Sequence, residues 1–178
     1  MDFGVGTVSL SDNLGNTWHE AETQTGSRGV NRLYYAFNAS VGVGQTFTVS
    51  DSSGSADCAI AVAAFSGMTA TDPFETGFVG GFTTAQTIQG TALTAATAGD
   101  LIVQAFMAAG QSGSATVSIN EGFTIPDQDG IGNTSENANA ALAFVITDSL
   151  VPVNPTWTWS NSLGASIGIV GSAFAAME

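Results

Sequence analysis

The first residues with the types and spacing to do chemistry are His19-Glu20-Ala21-Glu22. On an extended chain Glu20 and Glu22 project to one face and His19 to the other, so acid–base work there needs a partner from another element. An exposed polar edge is the plainer reading. Glu75 with Glu121 is a second carboxylate pair, but glycoside hydrolysis needs a separation of about 5 to 9 Å that spacing along the chain does not supply. Gly110-Gln111-Ser112-Gly113 is no G-x-S-x-G elbow and fits a hairpin better. Cys58, the single cysteine, has no intrachain disulfide partner, and within the alternating run 58–65 it reads as a small buried apolar residue rather than a nucleophile. None of these groups specifies a reaction, and the expected protein is not an enzyme.

Binding chemistry is better represented. Asp127-Gln128-Asp129-Gly130-Ile131-Gly132-Asn133, with Glu136 following, resembles an oxygen-rich calcium loop, so Asp127, Asp129, Asn133 and Glu136 are the candidate ligands of a Ca²⁺ ion. It is not an EF-hand, and D-x-D-G strings are frequent in ordinary loops. Trp157 and Trp159 share one face of a strand and could form a platform for sugar rings, yet core packing is favoured. Trp18 follows a turn, while Tyr34 and Tyr35 point to opposite faces. Trp18 and Tyr35 are therefore the candidate ligand-binding aromatics, with a glycan as the partner they would suit.

The elements that carry these residues are strands. The chain has 178 residues and 17.9 kDa, with 44% hydrophobic residues, 22 glycines and a mean hydropathy of +0.24, enough for one ordinary folded domain. Ser, Thr, Gly and β-branched residues dominate, and the usual surface helix formers are nearly absent. Strands are expected at 7–11, 17–23, 30–38, 46–50, 58–65, 78–82, 85–88, 91–94, 101–109, 115–120, 123–125, 140–147, 156–160 and 165–175. Turn clusters separate them at 12–16, 26–29, 51–54, 110–113 and 161–164. No apolar run is long enough to span a bilayer, which takes about 20 residues. The start, Met1-Asp2-Phe3, lacks the basic flank and apolar core of a secretory leader. Fifteen acidic residues face two cations, Arg28 and Arg32, for a net charge of −13, which excludes nucleic acid and disfavours anionic membranes.

An internal repeat organises the pattern. Thr7-Val8-Ser9-Leu10 matches Thr116-Val117-Ser118-Ile119, residues 33–40 match 142–149, and Ala63-Ala64-Phe65 parallels Ser172-Ala173-Phe174, all at an offset of about 109. Residues 46–50 match 156–160 at about 110, and 13–18 parallel 120–125. The expectation is a single sandwich over residues 1–178, with halves at about 1–68 and 99–178 and a connector at 69–98. The second half opens on the apolar strand at 101–109, whose counterpart falls before Met1. Either residues 2–5 fill that place in part, or the strand lies outside this chain, or another chain supplies it, or the fold does without it.

Asp12-Asn13-Leu14-Gly15-Asn16-Thr17-Trp18, Leu33-Tyr34-Tyr35-Ala36, Ala63-Ala64-Phe65-Ser66-Gly67, Ala98-Gly99-Asp100-Leu101-Ile102-Val103 and Gly122-Phe123-Thr124 together resemble jelly-roll-type modules of bacterial surface proteins and phage virion proteins. The likeness covers nearly the whole chain, and its motifs are strand and turn determinants that carry no catalytic residue. It implies an all-β, antiparallel jelly-roll-like sandwich of two repeated halves. The expected role is a non-catalytic structural or decoration module of a virion or an extracellular or cell-surface assembly. Its partners would be copies of itself or a neighbouring virion or surface protein, joined through sheet edges, with no membrane insertion. A carbohydrate-binding module, aided by calcium, is the alternative.

Overall fold

The computed structural model describes residues 7–26, 29–52, 57–110, 115–133, 137–160 and 166–177. Arg28, Glu136, residues 2–5 and the tips of the turns at 26–29, 51–54, 110–113 and 161–164 lie outside them. The described residues are all-β, with antiparallel pairing throughout and no helix.

The centre is a five-stranded sheet in the order β5 (Phe74–Thr83), β12 (Ser166–Phe174), β7 (Leu101–Ala109), β10 (Ala138–Ile146), β9 (Thr124–Asp129). All nine residues of β7 and all nine of β12 are buried, because other layers cover both faces of these strands. Their sequences are accordingly apolar or small at nearly every position rather than alternating. Gly168 and Gly171 on β12 leave room for the rings of Phe82 and Phe78, which occupy the space a Cβ would take.

On one face lies a three-stranded sheet, β6 (Thr87–Gln89), β11 (Thr156–Trp159), β8 (Val117–Ile119). Between the two sheets Ile102, Phe106 and Ala108 of β7 meet Trp157 and Trp159 of β11. Both tryptophans are essentially inaccessible and pack on Phe106, and Trp157 Nε1–H donates to Gln104 Oε1 at 2.9 Å. These rings are core residues.

The opposite face carries the β2 (His19–Gly26) and β3 (Gly29–Tyr35) hairpin and residues 57–65. Leu101, Val103 and Ala105 pack there with Leu33, Ala61, Ala63 and Phe65. A separate ribbon pairs β1 (Val8–Asp12) with β4 (Phe47–Asp51).

Two expected strands are corrected. Residues 58–65 have the alternation of a strand but join no ladder, and 91–94 is reduced to one bridge, Leu93 to Val153. Alternation records which side chains are covered; a ladder also needs a neighbouring backbone edge.

Candidate functional site

A groove of about 730 Å³ separates β3 from residues 57–65. Well-packed interiors hold few voids larger than a water molecule, so a space of this size is a binding-scale cleft rather than a packing defect. Leu101, Val103 and Ala105 of β7, with Leu142 of β10, form its floor. Leu33 and Tyr35 line one wall and Ala61, Ala63 and Phe65 the other, while Val8, Leu10, Phe47 and Val49 face it from the β1–β4 ribbon. β3 is paired by β2 on one edge, and its other edge has no strand partner among the described residues.

Asp12 ties together Asn16 and Trp18 of the groove lining. Its Oδ1 accepts from the N–H groups of Leu14 and Asn16 at 2.9 and 3.1 Å, and its Oδ2 accepts from Asn16 Nδ2 at 2.7 Å and Trp18 Nε1 at 3.1 Å. Desolvation works against the carboxylate, but these donors outweigh it and hold the pKa at about 2. Gly15 closes the turn at φ 74°. Asn13 and Asn16 then bond across to Thr46 and Ser40, fastening the turn to the β3–β4 connection. Asp12, Asn16 and Trp18 of the Asp12–Trp18 motif are thus mutually hydrogen-bonded.

Trp18 and Tyr35, the two candidate aromatics, line the same groove. Trp18 meets Phe47 edge-on with centroids 5.9 Å apart. Tyr35 is stacked among His19, Phe37 and Phe74, and its hydroxyl donates to Asp72 Oδ1 at 2.8 Å. Burial, then the Asp72 carboxylate, push that hydroxyl up to about 12. Both residues therefore commit their polar atoms within the protein.

The candidate calcium ligands are placed differently from a loop. Asp127 and Asp129 end β9, on one face of the strand. Asp127 Oδ2 accepts from Val62 N–H at 2.7 Å and Asp129 Oδ2 from Ile60 N–H at 3.1 Å. Two carboxylates spaced i, i+2 thus grip two amides of the same spacing and hold the far wall of the groove. Asn133 donates its N–H to Gly130 in the turn that follows, and Glu136 lies outside the described residues. Among the described residues no three acidic, histidine or cysteine side chains form a metal cluster. The gripping role was missed from sequence, though the i, i+2 aspartates were its available signal.

Cys58 is corrected: it is exposed, on the groove lining. Partial desolvation and then the Asp129 carboxylate raise its thiol pKa. In β2 a bulge falls between Glu20 and Glu22, so the simple two-face alternation is broken there. Glu20 pairs with Arg32, and Glu22 is raised by burial and by Glu20. Glu75 and Glu121 each accept from a backbone N–H, of Ala96 and Asn154 respectively.

The fold and groove define an all-β protein of antiparallel sheets with an apolar cleft beside a strand edge that has no strand partner among the described residues. No protein-family model matches the sequence, and neither a curated protein nor a solved structure matches it.

Proposed function

We propose that this chain is a non-catalytic structural or decoration module of a virion or an extracellular, cell-surface assembly, joined to its neighbours through sheet edges and apolar surface. The carrying observation is the edge of β3 that has no strand partner among the described residues, beside an apolar groove, since an unpaired edge is a template for association. Val41, Val43, Leu150 and Val151 add exposed apolar surface, each at least 59% accessible.

The strand order supports a jelly-roll reading. β5-β12-β7-β10 lies against β6-β11-β8, with successive strands crossing between the sheets, and β9 departs by extending the larger one. Pairing also favours the doubled design: β1 joins β4 as β8 joins β11, and β2 joins β3 as β9 joins β10. The β1–β4 register is shifted by two residues from its counterpart.

Light scattering behind size-exclusion chromatography tests the role. With a charge of −13 the copies repel, so association is expected to strengthen with concentration and with added salt, which screens that repulsion. A monomer under all those conditions overturns the self-associating reading. Carbohydrate binding draws on Trp18 and Tyr35 sharing one groove, and a glycan array with Trp18→Ala tests it.

A further inference from the structure

We propose that the groove is an acceptor for one extended, predominantly apolar segment of about nine residues, flanked by basic residues and supplied by a different polypeptide. The inference deepens the assembly reading and rests on it for the setting in which that polypeptide is met.

The edges define the direction. Asn31 on β3 donates to the carbonyls of Ala105 and Gly168, while Tyr35, further along, packs on Phe174, so β3 runs with β12 and against β7. Val62 is held by Asp127 and Ile60 by Asp129, so residues 57–65 run against β9 and therefore with β10. β12 and β10 are both antiparallel to β7 and hence run the same way. The two walls are therefore parallel to each other, and a strand antiparallel to both can pair with both, as β7 does between β10 and β12. Amides alternate sides along an extended chain, so with Ile60 and Val62 turned to β9, those of Ala61 and Ala63 project from the opposite edge.

The surroundings define the chemistry. The central sheet covers one side of the groove and the β1–β4 ribbon the other, so both faces of the occupant are buried, as those of β7 are. Asp57 lies on the lining, and the lining's Arg32 is paired with Glu20. Basic flanks complement that acidity and the net charge of −13. A second copy fits less well: it carries the same charge, and its two uniformly buried strands, β7 and β12, are each paired on both edges.

The test uses the full chain and a labelled peptide, Lys-Lys-Leu-Ile-Val-Gln-Ala-Phe-Met-Ala-Ala-Lys-Lys, which borrows the β7 sequence. Saturable one-to-one binding and a rise in Tm are expected. N-methylation at alternate residues, or aspartate in place of the peptide's valine and phenylalanine, should weaken binding at least about tenfold; glutamate flanks should weaken it at low salt, with the difference shrinking as salt is added. These peptide variants leave the protein's own folding untouched. If the chain alone shows no β-sheet circular dichroism, refolding with the peptide should restore it. The proposal is overturned by no binding to a folded chain, by failure of the peptide to restore fold, or by binding indifferent to N-methylation. A small apolar molecule held by the purified protein in native mass spectrometry, or a homodimer that excludes the peptide, also overturns it. Peptide binding by a protein that stays monomeric would uphold the acceptor while removing self-association.

Discussion

At the scale of single residues, buried polar groups do specific work. Trp157 Nε1–H and Gln104 Oε1 are paired in the buried core, so Trp157→Phe is expected to cost about 1–3 kcal/mol in urea denaturation, through the side-chain oxygen left without a donor. Adding Gln104→Leu should recover part of that loss. Acid acts at Asp12 and Asp100, both held below the usual carboxylate range despite desolvation: Asp12 by side-chain and backbone donors at its turn, Asp100 by the amides of Ala176 and Thr97. A depressed pKa adds stability above the unfolded value, and that stability drains as pH falls through the folded value. For Asp12 the window runs from about 4 down to about 2. Glu22 and Glu75 are raised and act in the opposite sense, losing an unfavourable charge as they protonate. Thermal melts from pH 5 to about 2 should therefore show a falling limb that is shallower in Asp12→Ala.

At the scale of elements, close packing determines where side chains are admitted. A Cβ on Gly171 would collide with the Phe78 ring and crowd the Val103 carbonyl, so Gly171→Ala is expected to destabilise by about 1–3 kcal/mol. Gly81 on β5 meets nothing within 4 Å, and Gly81→Ala should be neutral or stabilise by up to about 1 kcal/mol. Paired urea melts check both. Residues 57–65 are attached to β9 by two carboxylates rather than a ladder. Asp127→Ala should accelerate exchange of the Val62 amide about tenfold, equivalent to ~1.4 kcal/mol, while exchange in β7 is unchanged. If calcium is a ligand, it competes with those amides, and adding Ca²⁺ would quicken the same exchange instead of slowing it.

At the scale of the molecule, a central sheet is covered on both faces by different means. The β6-β11-β8 side is closed by paired tryptophans, whereas the β2–β3 side ends in a groove and in an edge with no strand partner among the described residues. The closed core layer and the groove are therefore spatially separated. Phe106→Ala, in the closed layer, should cost about 3–5 kcal/mol of stability. Ala61→Asp, at the groove, should act mainly on what the groove accepts. Comparing melts with peptide titrations of the two variants separates the effects.

The sequence alone determined the all-β class and its innermost strands. A strand covered on both faces must be apolar throughout, so 101–109 was legible residue for residue, whereas alternation placed Trp157 and Trp159 on one face without deciding between core and surface, and their burial is what the packed sheets show. The Asp12–Trp18 turn was legible too, because its bonds are local. Tertiary structure decided the rest. Only pairing in space could show that 58–65 lacks a ladder, that Cys58 faces solvent, and that Asp127 and Asp129 grip backbone amides more than sixty residues away. Periodicity reports which side of a chain is covered, but an edge, a groove or a grip depends on what lies beside it, and that is settled by contacts distant in sequence.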